Sequence, residues 1–259
     1  MAFLPRCAYR AGVIDVALTP AERRLTDVAV VIDVLRATST ATQALAAGYR
    51  RVMCAETIER ALRLRAHGRV LAGERNGVKP PGFDQGNSPA EATDQRGEEL
   101  VLATTNGAPA IVAAAGRASH VVLACLLNLD AVTRNLRSRG PGDLQVVCSG
   151  TDGAAALEDV YVAGRLCAGL PGERTDAALV AEAVARAFPT AFDALAASQD
   201  AERLRAVGLG ADIAACAVES VLDIVPTVIA ARAGVATVGT AGGSPDAHPG
   251  ADLGHTVRV

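Results

Sequence analysis

Short apolar runs alternate along this chain with stretches whose apolar positions recur every three or four residues. Val28-Ala29-Val30-Val31-Ile32-Asp33-Val34 is almost continuously apolar, the pattern of a strand buried on both faces. A helical pattern follows at 38–47, and Gly48 stands where a glycine commonly ends a helix. The same reading predicts strands at 51–55, 70–72, 100–103, 120–125 and 144–148. Between them it predicts helices at 57–66, 108–115, 129–137 and 157–167. Residues 175–215 read as wholly helical and Ala-rich, and 225–229 with 234–238 as a closing strand pair. Such alternation predicts an α/β fold with a mainly parallel sheet and helices on both faces. Residues 1–240 read as one domain and 241–259, rich in Gly, Pro and Asp, as a loose tail.

One segment breaks the rhythm. Residues 73–89 hold four Gly and three Pro with charged residues between them, and have no period. A structureless stretch of that length in a compact domain is expected to carry function.

In open α/β sheets, ligands bind beyond the carboxyl ends of the strands. Polar residues gather after four of the expected strands. Asp33, Arg36, Thr38 and Ser39 follow the first, and Glu74, Arg75 and Lys79 the third. Thr104-Thr105-Asn106-Gly107 and Ser149-Gly150-Thr151-Asp152 follow two more, the latter shortly before Glu158 and Asp159. Gly, Ser, Thr and Asn at such turns present N–H groups and hydroxyls to a phosphate at a helix N-terminus. Asp33, Glu74, Glu158 and Asp159 are hard oxygen ligands of the kind Mg²⁺ takes. Arg36, Arg75 and Lys79 are cations for phosphoryl charge. The expected catalytic set is therefore Asp33, Arg36, Glu74, Arg75 and Lys79. The expected substrate-binding set is Thr38, Ser39, Asn87, Ser88, Thr104, Thr105, Asn106, Gly107, Ser149, Gly150, Thr151 and Asp152. Plainer readings stand beside these: Thr38, Ser39 or Asn106 as helix caps, and Asp159 as a surface charge. Asp33 resists the plain reading, because a carboxylate ending so apolar a run needs a partner or a metal.

Composition narrows the function. The 259 residues are 50% hydrophobic but only 3% aromatic, without Trp, so the core is built from Ala, Val and Leu and no base-stacking platform is expected. The net charge is −3 and the cations are scattered, which argues against nucleic acid or an anionic membrane as partner. No 18-residue apolar window is present, and the first ten residues lack a signal-like run, so the expectation is a cytoplasmic protein. The six cysteines have no metal-ligand spacing and read as small buried hydrophobes. A phosphate-binding G-x-x-x-x-G-K-[ST] loop, a dinucleotide G-x-G-x-x-G after the opening strands, a G-x-S-x-G elbow and a D-x-D-x-T are all absent. Cys148 has no Arg closing the loop after it, so a cysteine-nucleophile loop is absent too. The apolar helices near 176–217 suit packing on the sheet or on a second copy of the chain, which leaves a homo-oligomer open.

The segments "VVIDVLRATST", "GERNGVKPPGFDQGNSP", "TTNGAPAI" and "CSGTDGAAALEDVYVAG", in this order, resemble the 2-phosphosulfolactate phosphatase (ComB-like) family. The later "VGLGADIAACAVESVLDIVPTV" resembles the family's closing segment. The resemblance implies a three-layer α/β/α fold and a Mg²⁺-dependent phosphatase. It also implies hydrolysis of (R)-2-phospho-3-sulfolactate to 3-sulfolactate and phosphate, a step toward coenzyme M. Ala156 departs from the family pattern, which often has Ser before Leu157-Glu158-Asp159. The expected mechanism is attack of a metal-activated water on a small anionic phosphate ester. The alternatives are a phosphohydrolase of another phospho-hydroxyacid and a binding protein without turnover.

Overall fold

The computed structural model describes residues 12–140 and 142–240. In chain order the elements are β1 (Val13–Ala17), β2 (Thr26–Ile32), α1 (Ala37–Ala46), β3 (Arg51–Ala55), α2 (Ile58–Arg63) and β4 (Arg69–Gly73). Then come β5 (Glu99–Ala103), α3 (Gly107–Ala115), β6 (Ala118–Ala124), α4 (Leu129–Ser138), β7 (Leu144–Cys148), α5 (Leu157–Ala168) and β8 (Glu173–Arg174). The chain continues through α6 (Asp176–Ala187), α7 (Ala191–Ala196), α8 (Gln199–Ala206) and α9 (Ala211–Cys216), and closes with β9 (Pro226–Arg232) and β10 (Val235–Thr240). The expected tail lies outside the described residues.

The ten strands of the described residues form one sheet in the order β4-β5-β3-β10-β9-β6-β2-β7-β1-β8. β4, β5 and β3 are mutually parallel, as are β6, β2, β7, β1 and β8. The β9–β10 hairpin joins these sets through antiparallel pairings on both sides, so the two sets run in opposite directions. The joint at β6 is narrow: Val122 opposite Thr227 is the one registered pair.

Both sets turn one face toward the same two helices. Val31 of β2 and Leu123 of β6 share a buried cluster with Val52 of β3, Leu102 of β5 and Val238 of β10. Ala37, Ala41 and Ala44 of α1 and Ala108, Ile111 and Ala114 of α3 fill that cluster. Small side chains let these helices sit close to both sets, as a core poor in aromatics requires. The other face of the β4 side is covered by α2 through Ala61, beside Leu71, Phe83 and Val101. The other face of the β2 side is covered by α4 to α9. This is a three-layer α/β/α arrangement of a mainly parallel sheet. Gly164 shows how tightly the Ala-rich helices pack, since a Cβ there would sit 2.0 Å from the Ala181 carbonyl oxygen of α6.

Two differences from the sequence reading have physical causes. β1 escapes the apolar pattern because Asp15 interrupts it. That carboxylate accepts hydrogen bonds from Thr175 and Gln145 and pairs with Arg24, so a strand tolerates it. The helical stretch 175–215 is four helices. Pro189 interrupts it, and Thr190 and Ser198 cap new starts by accepting from the N–H groups of Asp193 and Ala201. Gly208, with φ +78, ends α8. The cysteine expectation holds for Cys54, Cys125, Cys148, Cys167 and Cys216, all buried free thiols, while Cys7 lies outside the described residues. Burial pushes the Cys148 thiol well above its ordinary range, which suits a packing role. No helix among the described residues is long and apolar enough to cross a membrane.

Candidate active site

The carboxyl end of β2 is fixed by local polar chemistry. The Asp33 carbonyl accepts from the Thr38 N–H and hydroxyl, and the Thr38 hydroxyl in turn accepts from the Asp33 N–H. Ser39 donates to the Val34 carbonyl at 2.8 Å. The Asp33 carboxylate caps α1 by accepting from the Ala37 N–H at 2.8 Å. Thr38 and Ser39, both fully buried, therefore hold Asp33 in place rather than line the open space. The second Asp33 oxygen faces the start of α3. A Cβ on Gly107 would lie 2.3 Å from it, so only glycine permits this approach.

The turn after β7 is tied to the turn after β2 by Asp159. Its carboxylate accepts from the Val34 N–H at 2.9 Å, the Ser149 hydroxyl at 3.0 Å and the Gly150 N–H at 3.2 Å. On the other set of strands, Glu74 ties the turns after β4 and β5. One of its oxygens accepts from the Thr105 N–H at 2.6 Å, the other from the Gly77 N–H at 2.8 Å and the Thr105 hydroxyl at 3.2 Å. Thr104 caps α3 by accepting from the Ala108 N–H.

Each side then projects a two-residue tip. Arg75 and Val78 exchange backbone hydrogen bonds around Asn76-Gly77, and Thr151 and Ala154 do so around Asp152-Gly153. All four central residues have positive φ, the conformation for which Asn-Gly and Asp-Gly are the favoured pairs.

Between these tips lies a cleft of about 440 Å³. Of the expected residues, Asp33, Arg36, Glu74, Asn87, Thr104, Thr105, Asn106 and Asp152 line it. Gly107 sits against Asp33, and Ser88 donates to Asp212 at 2.7 Å. Ser149, Gly150, Thr151, Glu158 and Asp159 are placed behind the wall. Arg75 and Lys79 are exposed and do not line the cleft. The sequence reading missed Asp200 and Arg203 of α8, which also line it, and Asp212 of α9. Asp212 forms a buried ion pair with Arg36 at 2.5 Å. Asp200 accepts from the Thr151 hydroxyl at 2.5 Å. The one sequence signal for α8 is an Asp and an Arg three positions apart on its polar face, a pattern that a solvated helix shares.

The carboxylates crowd one another. Burial, together with the charges of Asp200 and Glu74, raises Asp33 to about 6 despite the Ala37 and Ser149 hydrogen bonds. Burial and the Asp200 charge raise Glu158 to about 8. Burial, then the charges of Asp33 and Glu158, lifts Asp159 well above the carboxylate range. Such a set carries more negative charge than its surroundings offset, the condition under which a divalent cation is favoured. Three donors occupy the Asp159 oxygens and three the Glu74 oxygens. Asp33, Glu158 and Asp200 retain the most acceptor capacity. Among the described residues no three or more His, Cys, Asp or Glu side chains converge as a ligand cage. A hard cation that takes one or two carboxylates and fills its shell with water and phosphate oxygens fits this donor set.

Comparison with known proteins agrees with the geometry. Residues 14–230 match the family model described as 2-phosphosulpholactate phosphatase. A Thermus thermophilus protein named probable 2-phosphosulfolactate phosphatase is 43% identical over 218 residues, covering 82% of this chain and 92% of the relative. One of the same name from Deinococcus radiodurans is 39% identical over 211 residues, covering 78% and 88%. The 2-phosphosulfolactate phosphatase of Methanothermobacter thermautotrophicus is 34% identical over 197 residues, covering 76% and 84%. The chain whose turns build this cleft belongs to the 2-phosphosulfolactate phosphatase family, a family of phosphoric monoester hydrolases.

Proposed function

We propose that the cleft hydrolyses (R)-2-phospho-3-sulfolactate to 3-sulfolactate and phosphate with Mg²⁺ as cofactor, the type of step found in coenzyme M biosynthesis. The observation that carries this reading is the meeting of Asp33, Asp200 and Arg36 in one cleft, with Glu158 buried behind them, in a chain of this family. The names of the relatives support the substrate. Asp33 and Asp200, the pair of carboxylates left with open acceptor positions on the cleft wall, would hold the ion, which when bound would orient the phosphoryl group and the attacking water and offset developing charge.

The remaining work falls to the protein's own groups. Arg36 is held rigid by Asp212, so its guanidinium offsets phosphoryl charge without reorganising. The N-terminus of α3 carries partial positive charge beside Asp33, and the Asn106 side-chain amide offers a donor to ester oxygens. Leu35, Leu204 and Val207 form an apolar wall that limits water around the ester. The test is phosphate release from a panel of esters, with Mg²⁺ or with EDTA. The expected result is preference for phosphosulfolactate and silence in EDTA. Preference for another phospho-hydroxyacid would replace the substrate, and saturable binding without turnover under any divalent ion would reject the reaction.

A further inference from the structure

Arg36 and Arg203 are the two cationic side chains lining the cleft among the described residues, and the structure treats them differently. Arg36 is 2% exposed and locked to a buried Asp212. Arg203 is 54% exposed, and its partners are Asp152 at 2.8 Å, itself 64% exposed, and Asp200 at 3.6 Å. An ion pair as open as Arg203–Asp152 contributes little and is readily exchanged. Arg75 and Lys79, the other cations near these turns, lie outside the lining.

Taking the reading above as its premise, the geometry points to Arg203 as the specificity residue. It leaves Asp152 to bind the acidic group of the substrate that is not hydrolysed, a sulfonate or carboxylate, while Arg36 serves the phosphoryl group. A planar guanidinium pairs with two oxygens of either group by parallel N–H donors. The Asp152-Gly153 tip then holds Arg203 over the cleft in the free enzyme, where otherwise a long side chain would lose entropy on binding.

The test compares wild type with Arg203→Gln and Arg203→Lys. Two esters are used: phosphosulfolactate, and glycerol 2-phosphate, which carries no second acid. Arg203→Gln should lower the preference for the acidic ester about 10- to 100-fold, the worth of one charge-assisted contact, chiefly through KM. Arg203→Lys should restore part of that preference. Equal losses on both esters, or a loss confined to kcat, would overturn the assignment and make Arg203 part of the phosphoryl machinery. A preference unmoved by either variant would overturn it as well. If wild type releases phosphate from neither ester with Mg²⁺, the functional reading itself fails, and this inference falls with it. Circular dichroism of each variant confirms that a lost preference is not lost folding.

Discussion

Glu74 lines the cleft and Glu158 lies behind its wall, and the surroundings of these two glutamates assign them different work. Glu74 follows β4 and accepts three hydrogen bonds, two from backbone N–H groups and one from a hydroxyl. A carboxylate offers about four acceptor positions, so Glu74 is nearly saturated and serves to join two turns. Glu158 stands in the first turn of α5, is 2% exposed, and faces Asp200. Its carboxyl is pushed up to about 8 by burial first and by that neighbour second. The contrast extends to the two sides of the sheet. On the β4 side Glu74 has its donors in place, and on the β2 side Asp159 does too, whereas Asp33 and Glu158 gather charge with fewer. What a carboxylate does here depends on how many donors reach it.

The contrast breaks most sharply at Asp33, which belongs to the underserved set. Asp33→Asn should reduce phosphate release about 10³-fold with unchanged circular dichroism. Glu158→Gln should lower kcat about 10²-fold. Glu74→Gln should act mainly on stability instead, because an amide N–H₂ then faces donors that need an acceptor; the cost is about 1–3 kcal/mol, read by denaturant unfolding. If Glu74→Gln matched Glu158→Gln in kcat while keeping its stability, the two glutamates would share one role.

Titration sharpens the same comparison. Asp33 rises from 3.8 to about 6 and Glu158 from 4.5 to about 8 on folding. Between those limits the folded protein binds more protons than the unfolded chain, so metal-free stability falls as pH rises through that window. A cation favours the ionised forms, so Mg²⁺ should raise Tm more near pH 8 than near pH 5, by differential scanning calorimetry. The smallest effect is expected at the exposed cations. Arg75→Ala and Lys79→Ala should each stay within about two-fold of wild type in kcat/KM. A loss of tenfold at either would show that the long loop closes over the substrate.

Much of this fold is legible in the chain. β2 announces itself by its apolar run from Val28 to Ile32, and Asp33 stands out because a carboxylate follows that run. The four polar strand ends are legible for the same reason: they are sharp departures from apolar surroundings. Asp200, Arg203 and Asp212 lack such contrast. They lie on short helices where acidic and basic residues are ordinary, and only the fold brings α8 and α9 over the turns after β2 and β7. The tip at Asn76-Gly77 carries a readable turn signal, but within the Gly-rich stretch 73–89 it merges into an apparent long loop, whereas Asp152-Gly153 reads as part of a turn. The partition between saturated and underserved carboxylates rests on hydrogen bonds between segments as distant as Val34 and Asp159, which no local pattern encodes.

The central claim is that turns from two opposed sets of strands assemble one acid-and-arginine cleft that hydrolyses a phosphate ester with a divalent ion. Its most direct test follows phosphate release from phosphosulfolactate during Mg²⁺ titration of EDTA-stripped protein, for wild type, Asp33→Asn and Arg36→Gln. The account predicts saturable activation of wild type from near zero and almost none in either variant. Equal release without Mg²⁺, or wild-type activation of Asp33→Asn, would contradict it.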